Sequence, residues 1–207
     1  MNPQLFLMVI PFLLAVVIHE VSHGYVAYKL GDNTAKFMGR LTLNPIAHID
    51  IVGTIILPLF LLIAHSPILF GWAKPVPVNF FNLRNPKRDS AYVALAGPLS
   101  NILMAIGFSI LYHIFLFLPI PYMQQPLILT CVYGVQLNLI FAFFNLIPIL
   151  PLDGGRILAA IMPNHLSYKF SKIEPYGMYI VIALIFLGAF NLIYYMFVMP
   201  ISNLLLF

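Results

Sequence analysis

Long, nearly uncharged runs of apolar residues constrain this chain more than anything else in it. Four of them, roughly 4–30, 91–118, 127–147 and 176–199, each extend for twenty residues or more, enough for a helix to cross the hydrocarbon core of a bilayer. With 62% of its 207 residues apolar and only 8% charged, the chain is excluded from the soluble classes, and the sequence predicts an all-α polytopic membrane protein. A fifth run, roughly 51–69, carries Pro58 in its middle and Pro67 near its end. Proline breaks or kinks a helix, so this run is expected to dip in and return as a re-entrant segment, where protein covers the irregular backbone. Depending on how that segment and the shorter helices are counted, the total is four full spans or five or six membrane helices. Short extended segments on the cytoplasmic side complete the expected fold, and residues 1–207 are read as one integral-membrane domain.

Charge sets the orientation. If 51–69 crossed fully, Lys29, Lys36 and Arg40 would face the side opposite to Lys74, Arg84, Lys87 and Arg88. If it re-enters, all ten Lys and Arg, including Arg156, Lys169 and Lys172, share one side, which the positive-inside rule makes cytoplasmic. The net charge of +4 is thereby a topology signal and calls for no nucleic acid partner. Met1-Asn2-Pro3-Gln4 lacks the basic residue of a signal peptide and no small-residue cleavage site follows, so the first helix is expected to stay. The single Cys131 excludes an internal disulfide and a Cys-based zinc site and reads as a small core hydrophobe.

Ionisable residues at membrane depth are costly and read first as functional. The first run holds His19-Glu20-Val21-Ser22-His23. On a helix His19 and His23 lie four residues apart on one face, where two imidazole nitrogens can bind one zinc ion and Glu20 can take a proton from its water. Two histidines leave such a site one protein ligand short. Asp153, in Pro148-Ile149-Leu150-Pro151-Leu152-Asp153-Gly154-Gly155-Arg156, is the best candidate, against the alternative that it caps the helix starting there. Asn145, eight residues earlier, could donate to the oxyanion of a tetrahedral intermediate or simply bond a neighbouring helix. Asn101 and Asn138 are read as such interhelical contacts. His48, His65, His113 and His165 have no partner at ligand spacing; His65 and His113 are read as satisfied core or interface residues.

HEVSH on the first helix and Asn145-Leu146-Ile147-Pro148 through Asp153-Gly154-Gly155-Arg156 after a later one resemble the site-2 protease family of intramembrane zinc metalloproteases, in its short form without a PDZ-like or regulatory domain. The resemblance covers most of the chain. It includes Gly39-Arg40-Leu41-Thr42-Leu43-Asn44-Pro45, Gly71-Trp72-Ala73-Lys74-Pro75-Val76-Pro77-Val78-Asn79 and Ala96-Gly97-Pro98-Leu99-Ser100-Asn101. It implies one catalytic Zn²⁺ held by His19, His23 and Asp153, with Glu20 as catalytic base and Asn145 as oxyanion donor. Gly97, Pro98 and Asn101 look like the family's helix-packing motif. The implied activity is hydrolysis of peptide bonds in or near the transmembrane segments of other proteins, in regulated proteolysis or clearance, in a prokaryotic cytoplasmic membrane with the site opening to the cytoplasm. The partners implied are a transmembrane substrate and the lipid bilayer; oligomeric state is open. A helical substrate must unwind before attack, and residues 36–44 could offer it an extended edge. Two other classes compete: an idle scaffold that binds membrane proteins, against which the intact Glu20 speaks, and a metal transporter, which would be expected to show duplicated halves.

Overall fold

The computed structural model describes residues 4–64, 71–118 and 120–207. Three long helices form the centre: α1 (Gln4–Lys29), α2 (Pro86–Phe117) and α3 (Gln124–Asn145). Cross-links fix their directions. Going up α1, Leu30 O meets Arg84 N, His23 meets Val93 O and Ala15 O meets Asn101, so α1 and α2 are antiparallel. Gln124 reaches Phe115 O and Asn101 reaches Asn138, so α2 and α3 are antiparallel too. Small residues permit this close approach. A Cβ on Gly134 would stand 2.3 Å from the Phe108 ring. Cys131 lies in the core with Phe108, Tyr112, Val135 and Leu139, as expected of a small apolar residue.

The fourth span differs from the expected 176–199. After the short helices α4 (Asp153–Ile161) and α5 (Asn164–Ser171), α6 (Glu174–Phe186) has only 13 residues, about 20 Å at helical rise against a core of about 30 Å. Gly188 then adopts a left-handed φ of 86°, open to glycine at little cost, and ends the run. The helix long enough to cross is α7 (Ala189–Leu206). It starts beside the C-terminal end of α3, where Phe190 stacks on Phe144, and finishes beside α2, where Leu205 O accepts from Ser109 and His113. Pro200 has no N–H to offer the turn before it, and the wider π turn Tyr194–Val198 carries the helix past that gap.

The apolar run after Asp50 behaves as a re-entrant piece. A π turn (Ile51–Ile56) leads into a helix of seven residues (Leu57–Ile63). Beyond it the chain returns to where it left: Trp72 N donates to Gly53 O at 3.1 Å and Thr54 Oγ1 donates to Trp72 O at 2.8 Å. Pro67 and His65 lie outside the described residues. Residues 71–79 then run without helix or strand, and no strand occurs among the described residues.

That segment is tied down at its end by Asp32. Its carboxylate, fully buried, accepts from Asn79 N, Asn82 Nδ2 and both N and Oγ1 of Thr34. Burial pushes the Asp32 carboxyl up, but the hydrogen bonds from Thr34, Asn82 and Asn79 outweigh it and hold the group below its ordinary value. A depressed folded-state pKa gives stability that is complete above the unfolded value of about 4 and is lost as pH falls through the folded one. Proteolysis within 71–79 is therefore expected to rise as pH drops below about 4. Asp32→Asn should be cut readily at neutral pH and show little further change with acid.

Candidate metal centre

The inward ridge of α1 is Pro11, Ala15, His19, His23 and Ala27, each four residues after the last and all buried except the half-buried His23. That spacing stacks them along one helix face. Here the two histidines replace apolar residues in the stripe packed on α2. Gly97 lies directly beneath them: a Cβ there would stand 2.4 Å from His23 Nε2 and 2.5 Å from His19 Cε1. Asp153 arrives from the other side on the first residue of α4. Its approach depends on two glycines, since a Cβ on Gly154 would lie 2.2 Å from Leu146 O and one on Gly155 2.4 Å from Leu150 N. The capping alternative is not realised: the residue at the cap position is Leu152 and the helix has no side-chain cap.

His19 Nε2 and His23 Nε2 stand 3.0 Å apart, with Asp153 Oδ2 at 3.2 Å from the first and Oδ1 at 3.4 Å from the second. Val93 O, which can only accept, takes the hydrogen of His23 Nδ1 at 2.7 Å, so His23 Nε2 presents a lone pair. Asp153 Oδ2 is buried without a hydrogen-bond partner. Lone pairs gathered this closely repel one another, and a buried unpaired carboxylate is costly; a cation among them removes both penalties. Two imidazoles and a carboxylate are a donor set that zinc takes, and among the described residues these three are the group able to hold a metal.

Glu20 stays outside that cluster. Its Oε2 accepts from Val76 N at 2.8 Å, so the segment 71–79 reaches across to the helix carrying the histidines. Arg40 Nη2 donates to Lys74 O and Pro75 O, and His48 O accepts from Lys74 N, fixing the segment on its other side. His48 is buried with its Nε2 donating to Thr42 O, not turned to the cluster. Asn145 is the last residue of α3, and its Nδ2 donates to Phe141 O at 3.0 Å, which occupies one of its two amide hydrogens. His113 is exposed and bonded to Leu205 O, and His165 is exposed.

The profile of Peptidase family M50 matches residues 119–188. Bacillus subtilis YwhC, a protein named as a zinc metalloprotease, is 40% identical over 180 residues, covering 86% of this chain and 78% of its own. The chain belongs to peptidase family M50, the site-2 proteases. Methanocaldococcus jannaschii zinc metalloprotease MJ0392 is 31% identical over 84% of this chain and 40% of its own length. Rip2 of Mycolicibacterium smegmatis is 27% identical over 89% and 68%. No solved structure matches. As a member of M50 this chain is a zinc metalloprotease, and its four spans make it an integral membrane protein.

Three features of this M50 chain escaped the sequence. Gly97, expected only to pack helices, forms the floor under both imidazoles. Asn101, expected to make an interhelical bond, does so and also faces His19 Nδ1 at 2.6 Å. Val76 holds Glu20 through its backbone, which no side-chain pattern announces. Gly97 and Asn101 were findable, because they lie four residues apart on one helix face as His19 and His23 do.

Proposed function

We propose that the protein is an intramembrane endopeptidase that hydrolyses peptide bonds in or near transmembrane segments of other membrane proteins, with His19, His23 and Asp153 holding zinc. The observation that carries this reading is the meeting of those three side chains inside the helix bundle, His19 and Asp153 buried and His23 half-buried. When bound, zinc lowers the pKa of water and polarises the attacked carbonyl. Glu20 is the base that accepts the water's proton and returns it to the leaving amine. Asn145 donates its free amide hydrogen to the developing oxyanion.

Depth and orientation follow. His23 precedes Lys29 by six residues, about 9 Å at helical rise, so the site lies inside the apolar layer but close to the basic end of the bundle. Lys29 on Tyr25, Lys36 on Tyr28, Arg88 on Tyr92 and Lys172 on Tyr168 are cation–π pairs suited to a headgroup layer. We assign that side to the cytoplasm, with residues 1–207 acting as one domain. Of the expected edge at 36–44, Lys36 and Phe37 lie in the short helix Thr34–Phe37 and Gly39 N closes a turn on Lys36 O, so an unwound substrate would pair with 41–44 alone, where Thr42 O is already taken by His48.

The test is the zinc content of detergent-purified wild type beside Asp153→Ala. Near-stoichiometric zinc in the wild type and a clear loss in the variant are expected. Well-folded wild type without zinc would sink the mechanism, and zinc unaffected by the substitution would remove Asp153 from the ligand set.

A further inference from the structure

We propose that Asn101, oriented by Asn138, is a positioning residue that holds His19 in its metal-binding tautomer. The inference rests on the assignment of His19 as a zinc ligand, and it comes from the polarity of a chain of hydrogen bonds running across three helices.

Asn101 on α2 and Asn138 on α3 are both 0% exposed, so their amide groups need protein partners. The chain begins at Gly134 O, which can only accept. The Asn138 atom 2.8 Å from it is therefore the donor Nδ2, and Asn138 Oδ1 is turned toward Asn101. Asn101 Nδ2 donates to that oxygen at 2.9 Å and to Ala15 O, a second acceptor-only group, at 3.1 Å. With both amide hydrogens used, the atom left to face His19 is Oδ1, 2.6 Å from Nδ1.

An amide oxygen accepts and does not donate, so the His19 proton sits on Nδ1 and Nε2 carries a lone pair. Nε2 is the atom that points at His23 Nε2 and Asp153 Oδ2. A neutral imidazole not held in this way samples both tautomers, and a hydrogen on Nε2 would close the ligand position. His23 obtains the same tautomer from one backbone carbonyl, Val93 O, which no substitution removes. His19 depends on two side chains and is the ligand whose competence a mutation elsewhere can cancel. Asn101 touches neither substrate nor metal in this scheme; it acts through the ring, as partners of metal-bound histidines do.

The experiment uses the full chain in detergent. Histidines are labelled with ¹⁵N in metal-free protein, the His19 signal being identified by its loss in His19→Ala. Zinc affinity is measured by competition with a chromophoric chelator in wild type and Asn101→Leu. The expected results are a His19 ring protonated at Nδ1 in the wild type, a shift toward Nε2 protonation in Asn101→Leu, and zinc binding weakened about 10–100-fold. Asn138→Leu should produce the same shift in smaller measure, because Ala15 O still holds Asn101. A wild-type His19 protonated at Nε2 overturns the inference, as does zinc affinity unchanged in a folded Asn101→Leu. Should that variant fail to fold, the wild-type signal decides alone. A wild type that shows the Nδ1-protonated ring but binds no zinc refutes the zinc assignment while leaving the relay standing.

Discussion

Glu20→Gln is expected to retain the zinc of the wild type and to lose cleavage of a transmembrane substrate by about 10²–10⁴-fold, the range removed with a general base. Glutamine has the shape of glutamate, and its amide oxygen can still accept the Val76 N–H that Glu20 Oε2 accepts. What it lacks is a basic site at neutral pH. Zinc should be unaffected because Glu20 stands apart from the cluster of His19, His23 and Asp153. Elemental analysis of purified protein and quantification of substrate fragments in vesicles check the two halves. Cleavage at the wild-type rate would remove Glu20 from the mechanism. Metal flux into vesicles that persists without cleavage would favour the transporter reading.

Gly97→Ala should cost as much by a different route. The added methyl would occupy the space of the His23 and His19 rings, 2.4 Å and 2.5 Å from their nearest atoms. Those rings cannot retreat easily, each being tied at Nδ1 to a residue of α2, so the ligand atoms are displaced or α1 and α2 are forced apart. Zinc affinity is expected to fall by about 10–100-fold, with activity following it. Gly107→Ala supplies the control. It lies on the same helix, a Cβ there meets nothing within 4 Å, and zinc binding and activity should match the wild type. Equal zinc affinity in the two alanine variants would show that α1 and α2 separate freely, contrary to the close packing described here.

Sequence reading went furthest where hydropathy and helical spacing are local properties. The first three spans, the pairing of His19 with His23 on one helix face and the break in the run after Asp50 all follow from residues within a few positions of one another, whereas Asp153 lies far along the chain and meets the two histidines only through the bundle. The fourth span was misplaced because hydropathy does not register a single backbone torsion: 176–199 is uncharged throughout, yet Gly188 turns the chain and shifts the crossing helix to Ala189–Leu206. Asn101 was legible as a buried polar residue but not as a partner of His19, since that depends on the register between α1 and α2. For Asn145 the sequence did not show that part of its donor capacity is spent on Phe141 O, one turn back on its own helix.

One contact bears on how the site keeps its alignment. The donor that reaches Glu20 belongs to Val76, and its neighbours are Pro75 and Pro77. Imino acids have no hydrogen on nitrogen, so of three consecutive residues only the central one can make this bond. Were the strip to slide by one position along α1, it would present a proline ring to the carboxylate and leave the acid unserved. The Pro-Val-Pro triplet thus works as a keyed fitting: it admits a single alignment, in which the central backbone serves the acid while the buried Val76 side chain seats against Gly24 of the same helix.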